Sequence, residues 1–136
     1  MKIFYKTRAT ATGGRSGTTA LDDGSLSIEL AMPGSGKSGA NPEHLFALGY
    51  AACFDNALKH LAGLQKLPLA SSLTSAEVGM GQTPEGGYKL DVDLHVTLAG
   101  LDAAAAQALL AQAHAICPYS NALRDNVDVR LHLTVA

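Results

Sequence analysis

Alternating apolar and polar residues occupy much of the chain, and this pattern predicts β-strands with one buried face. Six segments are predicted as strands, 2–12, 18–21, 25–32, 74–82, 88–98 and 126–135, and the alternation is clearest at 25–32, 88–98 and 126–135. Asp22-Asp23-Gly24 is typical of a hairpin turn, so the first three strands are expected to form an antiparallel meander. A Pro- and Gly-rich turn at 83–87 predicts a second hairpin.

A long helix is predicted between residues 41 and 64. Asn41 is a suitable N-cap, Pro42 fits the first helical position, and the carboxylate of Glu43 lies beside the positive helix end. No residue from 45 to 54 is charged, so we expect this half of the helix to be buried on nearly all sides. The rest of the chain is expected to pack around it.

A second helix is predicted after Asp102, which is a suitable N-cap followed by an alanine run. Its expected core stripe consists of Leu109, Leu110, Ala113 and Ile116. Pro118 ends this helix and favours the start of a short third helix, because proline fits the first helical turn.

Length and charge exclude several classes of function. A chain of 136 residues is expected to form a single domain, 1–136, with a real core. The net charge of -2 and the lack of a basic cluster argue against a nucleic-acid partner. The longest uncharged apolar run is far shorter than the roughly 20 residues that span a bilayer, and no signal-peptide segment is present, so we expect a cytoplasmic protein without a membrane partner.

The chain contains two cysteines, Cys53 and Cys117. Cys53 lies in mid-helix among apolar residues, where desolvation should raise the pKa of the thiol and leave it an inert core residue if nothing else acts on it. Cys117 precedes Pro118 at a helix end, and there it would be mobile enough to swing toward a partner sulfur. A reducing cytoplasm favours catalytic, redox-sensing or simply buried cysteines over a permanent bridge, and the distance between the two sulfurs stays open.

A thiolate at Cys53 would need a cation, and Arg15 is a candidate because it follows Gly13-Gly14 at a turn. Glu43 would orient that guanidinium through a bidentate ion pair. Each residue also has a simpler interpretation, Arg15 as a solvated loop residue and Glu43 as a favourable first-turn acid. About 15 Å of helix rise separates Glu43 from Cys53, so a long arginine, a bent helix or a second subunit would have to connect them.

Other chemistry is weakly supported. His44, His60 and His114 are conceivable zinc ligands, but the chain has no CxxC or HxxxH pair. A Cys–His hydrolase would need His114 or His60 as its base and an oxyanion hole that no motif indicates. The Gly-rich segment 34–40 lacks the spacing of a phosphate-binding loop. We therefore expect neither a metal nor a bound cofactor.

Several motifs resemble one known family. They are ATATGGR at 9–15, DGSLSIEL at 23–30, NPEHLFALGYAACF at 41–54, CPYSNA at 117–122 and NVDV at 126–129. Together they resemble the organic hydroperoxide resistance proteins (Ohr) of the wider OsmC-like group, over essentially the whole chain. The sequence differs from the usual family pattern at Ala40, His44 and Leu48, and its segment 34–40 is short.

The resemblance implies an α+β, OsmC-like fold with antiparallel sheets, a long buried central helix and an intertwined homodimer with active sites at the subunit interface. By motif position, Cys53 corresponds to the peroxidatic cysteine and Cys117 to the resolving cysteine. Arg15 corresponds to the activating cation and Glu43 to its carboxylate partner. A lipoylated protein or dihydrolipoamide is the implied reductant, and alkyl and fatty-acid hydroperoxides are the implied substrates.

The resulting hypothesis is a thiol peroxidase in which Cys53 becomes a sulfenic acid and Cys117 converts it to a disulfide. A general OsmC-type peroxidase is the nearest alternative, and the relative rates with bulky organic peroxides and hydrogen peroxide distinguish the two. A redox-responsive binding protein would keep the cysteines but would not turn over. A purely structural protein would have no fast-reacting thiol at neutral pH.

Overall fold

The computed structural model describes residues 1–136. Its strands are β1 (Ala9–Thr12), β2 (Thr18–Leu21), β3 (Ser27–Glu29), β4 (Ser71–Gln82), β5 (Tyr88–Ala99) and β6 (Val129–Val135). Its helices are α1 (Pro42–Leu64), α2 (Ala103–Ile116) and α3 (Pro118–Leu123), with a 3₁₀ turn at Gly14–Ser16. The chain divides into two compact units, 1–45 and 46–136. The mixture of separate sheets and helices confirms the predicted α+β class.

The first unit contains the predicted antiparallel meander, in the order β1-β2-β3. Gly24, at φ 79°, closes the β2–β3 turn by donating its N–H to the carbonyl of Leu21 at 2.9 Å. The predicted strands at 2–12 and 25–32 were too long, because β1 covers only its last four residues and β3 only three. Residues 2–8 belong to no strand of this chain, and a strand forms only where a neighbour supplies the hydrogen-bond ladder.

The start of α1 is capped as predicted. The Asn41 side chain accepts the backbone N–H of His44 at 2.8 Å, and Nδ1 of His44 accepts the backbone N–H of Asn41 at 3.2 Å. This reciprocal pair has the pattern of a capping box, with histidine in the place of the usual Glu or Gln. His44 therefore has a structural role at the helix start rather than the metal-binding role considered from the sequence.

The burial of α1 differs from the prediction. Tyr50, Phe54 and Leu58 are fully buried, but Leu48 is 69% exposed and Ala52 is exposed as well. The prediction that residues 45–54 are buried on nearly all sides is therefore wrong within a single chain. An uncharged stretch shows only that a surface is apolar, and whether another element covers it depends on tertiary or quaternary packing.

The second unit holds a sheet in the order β4-β5-β6. β4 and β5 form the predicted antiparallel hairpin, whereas β6 pairs parallel to β5, so this sheet is mixed rather than purely antiparallel. The parallel pairing is possible because α2 and α3 lie between β5 and β6 and provide a long crossover. Alternate residues of β5 face the core, as the sequence pattern predicted: Val92, Leu94, Val96 and Leu98.

The helices of the second unit also follow their sequence signals. The side chain of Asp102 accepts the backbone N–H of Ala105 at 2.8 Å, which confirms the N-cap of α2, and Pro118 is the first residue of α3. Leu109, Leu110 and Ala113 are buried, but Ile116 was wrongly placed in the core and is 45% exposed. Cys117 is fully buried beside it, since the chain leaves the helical spiral there. None of the helices is both long and apolar enough for a bilayer crossing.

Candidate active site

The two cysteines lie side by side in the second unit. Sγ of Cys117 is 3.8 Å from Sγ of Cys53, and no disulfide joins them. Cys53 is half-buried in the middle of α1, whereas Cys117 is fully buried between α2 and α3. Cys117 is enclosed at the helix end where the sequence placed it, and its sulfur already faces that of Cys53. To form a bond of about 2.05 Å, the two sulfurs would have to approach by roughly 1.75 Å.

The surroundings of Cys53 favour the protonated thiol. Burial raises the pKa of Cys53, and so does the nearby Cys117, through its charge when ionised and its hydrogen bond. A hydrogen bond from the backbone of Tyr119 lowers the pKa of Cys53, but this effect is smaller. The second unit therefore brings the two sulfurs close together, but its groups do not lower the pKa of the Cys53 thiol and so do not activate it as a nucleophile.

Aromatic rings line the same part of α1. The ring of Tyr119 stacks on Tyr50 at 5.6 Å and meets Phe46 edge-on at 5.7 Å, while Phe54 lies edge-on to Tyr50 at 6.3 Å. Gly49 allows this packing, because a Cβ there would lie 2.5 Å from the hydroxyl of Tyr119. These contacts attach α3, and with it the backbone next to Cys117, to the face of α1.

A hydrogen-bond chain links α1, α2 and α3, and no sequence motif predicted it. Oγ of Ser120 lies 2.7 Å from the hydroxyl of Tyr50 and 2.9 Å from Nδ1 of His114. Tyr50 and Ser120 are almost fully inaccessible, and burial together with the charge of Arg124 lowers the pKa of His114. The available signal was the spacing, because Tyr50 precedes Cys53 by three positions, and His114 and Ser120 flank Cys117 by three positions each.

The other predicted pair, Arg15 and Glu43, lies in the first unit. Both terminal nitrogens of Arg15 donate to the Glu43 carboxylate, each at 2.7 Å, which gives the bidentate geometry expected from the sequence. The hydrogen bond from Arg15 lowers the pKa of Glu43, and the same bond raises the pKa of Arg15. Gly13 (φ 79°) and Gly14 (φ 57°) adopt the left-handed conformations that present Arg15 at its turn.

The structure thus brings the four predicted residues together as two pairs, Cys53 with Cys117 and Arg15 with Glu43.

The histidines considered as zinc ligands or as a catalytic base have other surroundings. His60 is exposed, and no three His, Cys, Asp or Glu side chains are grouped in a way that would hold a metal. Nδ1 of His114 faces the Ser120 hydroxyl, so the Cys–His hydrolase arrangement has no support from a hydrogen bond to either sulfur.

Comparison with known proteins gives consistent matches. The family model described as OsmC-like protein matches residues 34–132. An organic hydroperoxide resistance protein of Xanthomonas axonopodis pv. citri (strain 306) is 46% identical over 97% of this chain and 96% of its own. The crystal structure of an organic hydroperoxide resistance protein from Legionella pneumophila has a TM-score of 0.94 and 49% identity, over 98% of this chain and 100% of that one. The crystal structure of OhrB of Bacillus subtilis has a TM-score of 0.90 and 43% identity, over 97% of this chain and 100% of that one.

A family match over most of the chain and close relatives over nearly all of it identify the class. The chain belongs to the OsmC-like family and, within it, to the organic hydroperoxide resistance group. The α+β fold is the fold of these neighbours.

Proposed function

We propose that this protein is a cysteine-based peroxidase that reduces organic hydroperoxides to alcohols. The observation that carries the proposal is the pair of reduced sulfurs 3.8 Å apart, one half-buried and one enclosed. Such a pair suits a cycle in which the more accessible sulfur meets the substrate and the enclosed one completes the reaction. The names of the close relatives supply the substrate class.

In the first step the Cys53 thiolate attacks one peroxide oxygen and the O–O bond breaks. A new S–O bond makes Cys53 a sulfenic acid, and the alkoxide takes a proton from water and leaves as the alcohol, which balances the proton that the Cys53 thiol gave up to solvent. In the second step the sulfur of Cys117 attacks that of Cys53, the S–O bond breaks, and the thiol proton leaves with the hydroxide as water. An external dithiol then supplies two electrons and two protons, which restores both thiols.

Arg15 is assigned the role of the activating cation, with Glu43 as the group that orients it. A thiolate at Cys53 needs such a countercharge, because burial and the neighbouring Cys117 raise the pKa of this thiol. A permanently charged guanidinium is a suitable countercharge for a thiolate. The bidentate bonds to Glu43 hold the Arg15 side chain in one geometry before any substrate arrives.

The preference for organic substrates is supported by the apolar surroundings of Cys53, which packs against the hydrophobic core. An alkyl tail gains free energy by leaving water, whereas hydrogen peroxide has no apolar surface to bury. The reductant is proposed to be a lipoyl dithiol. With Cys117 enclosed, a slim dithiol on a flexible arm is suited to attack the Cys53 side of the disulfide.

The active form is proposed to be an intertwined homodimer. Ile3, Phe4 and Tyr5 are more than half exposed and form no strand within the chain. The first unit has few buried residues of its own, Leu30, Ala31 and Asn41, which is too small a core for independent stability. A second subunit that covers the exposed Ile3, Phe4, Tyr5 and Leu48 would supply the missing burial.

Steady-state consumption of cumene hydroperoxide with dihydrolipoamide tests the proposal. Wild-type protein should turn over, should prefer cumene hydroperoxide to hydrogen peroxide, and should accept dihydrolipoamide better than thioredoxin. Cys53→Ser should abolish turnover. Peroxidase activity retained in that variant would reject the assignment, and binding of hydroperoxide without consumption by the wild type would favour a redox-responsive binding protein.

A further inference from the structure

The buried hydrogen-bond chain of Tyr50, Ser120 and His114 has no part in the chemical steps described above. Its geometry nevertheless connects the three helical segments that carry the two sulfurs. Tyr50 lies one turn before Cys53 on α1, so the two side chains project from the same side of that helix. His114 and Ser120 lie one turn before and one turn after Cys117, on α2 and α3.

We infer that Tyr50, Ser120 and His114 are positioning residues that hold the sulfur of Cys117 against that of Cys53 for disulfide formation. The inference rests on the proposed function, because it concerns the second step of that cycle. Ser120 is the shared member, since its single hydroxyl group bonds to α1 through Tyr50 and to α2 through His114. The chain thereby fixes the junction of α2 and α3 relative to α1.

The backbone at Cys117 explains why such fixing matters. The N–H of Cys117 donates a hydrogen bond to the carbonyl of Ala113, and the carbonyl of Cys117 accepts one from the N–H of Asn121, each at 2.9 Å. Cys117 therefore belongs to the hydrogen-bond ladders of both α2 and α3, and its sulfur moves by side-chain rotation or with the whole junction. From 3.8 Å the sulfurs must approach by roughly 1.75 Å to reach a bond of about 2.05 Å. A drift of the junction by 1 Å would slow this step by up to about 100-fold.

The surroundings support a role in position rather than in proton transfer to the sulfurs. Ser120 Oγ has both of its partners within the chain, and no buried side-chain polar atom of the protein lacks a hydrogen bond. Besides Ser120, His114 has Phe54 beside it, with the ring centroids 6.4 Å apart, and Arg124 donates to its backbone carbonyl at 2.7 Å. Tyr50 and Ser120 are fully buried and His114 is half-buried at the end of the chain, so these bonds favour one arrangement of the helices around them.

The test uses 4,4′-dithiodipyridine, which reacts with thiols without any peroxide chemistry. The Cys53 thiolate attacks one sulfur of the reagent, forms a mixed disulfide and releases one thiopyridone. Cys117 then attacks the Cys53 sulfur and releases a second thiopyridone as the Cys53–Cys117 disulfide forms. Absorbance gives the rates of both releases, and intact mass confirms that the product carries no adduct. Cys117→Ser should release one thiopyridone and retain the adduct.

Tyr50→Phe and Ser120→Ala should leave the first release within about threefold of wild type and slow the second by roughly 10- to 100-fold. His114→Phe should do the same, and His114→Asn should recover part of the rate because its amide group occupies the position of Nδ1. Ser72→Ala is the matched control, since it also removes a hydroxyl that bonds a side chain of α1, the carboxylate of Asp55 at 2.7 Å. This control should leave both releases unchanged.

An unchanged second release in folded Tyr50→Phe, which keeps the ring and loses only the hydroxyl, would overturn the inference. Equal slowing by Ser72→Ala would also overturn it, because general loosening of α1 would then explain the effect. The assay is independent of the proposed peroxidase. If wild-type protein forms the disulfide with dithiodipyridine but consumes no hydroperoxide, the proposed function fails while the positioning result is still obtained.

Discussion

Gly49→Ala tests the packing of α3 on α1, because two opposing effects of known size meet at this position. Alanine is favoured over glycine inside a helix by about 1 kcal/mol. The added Cβ, however, would lie 2.5 Å from the hydroxyl of Tyr119, 3.0 Å from Cζ and 3.2 Å from Cε2. The ring is rigid and already packs against Tyr50 and Phe46, so it cannot rotate away without losing those contacts.

Overpacking of this kind costs about 1–3 kcal/mol, which exceeds the gain in helix propensity. Gly49→Ala should therefore lower the free energy of unfolding by about 1 kcal/mol. Gly63→Ala is the matched control on the same helix, because nothing lies within 4 Å of a Cβ built there. This control should raise the free energy of unfolding by about 0.5–1 kcal/mol.

The assay is urea denaturation of the reduced protein, followed by far-ultraviolet circular dichroism at one fixed protein concentration. In Gly49→Ala with Tyr119→Phe the nearest ring atom would be Cζ, so the double variant should recover part of the loss. If Gly49→Ala were stabilised as much as Gly63→Ala, the contact between Tyr119 and α1 would not constrain the fold, and the reasoning would be refuted.

Three further predictions concern the reaction and the response to pH. Arg15→Ala should raise the pKa of Cys53 and move the midpoint of the pH–rate profile for cumene hydroperoxide upward, and an unmoved midpoint would exclude the activating role. Cys117→Ser should reduce about one equivalent of hydroperoxide and then stall. Full cycling of this variant with an external dithiol would show that the enclosed sulfur is not required to resolve the sulfenic acid. Arg130 holds the pKa of Asp93 well below its usual range, so this carboxylate stabilises the fold above its unfolded pKa of about 3.9 and loses that contribution as pH falls through the folded value. Asp93→Asn should therefore flatten the fall of Tm below about pH 4, and an acid limb identical to that of wild type would contradict the assignment.

Elements with strong local signals could be predicted from the sequence. The cap at Asn41, the cap at Asp102 and the proline start of α3 all appear where the residue types indicated them. Each depends on hydrogen bonds within one turn, so the information is contained in a few neighbouring residues. Strand lengths were less predictable, as at 2–12, because a strand also needs a partner that the local sequence does not specify.

The motifs were enough to name Cys53, Cys117, Arg15 and Glu43 as candidates, since motif positions are a property of the chain itself. The tertiary structure alone decided that two sulfurs separated by 64 positions lie 3.8 Å apart, and that Cys117 is enclosed while its neighbour Ile116 is exposed. It also decided that Tyr50 meets a hydroxyl 70 positions away, at Ser120. Contacts of this kind follow from how helices and sheet pack together, and packing depends on many side chains at once, so distance along the chain carries almost no information about them.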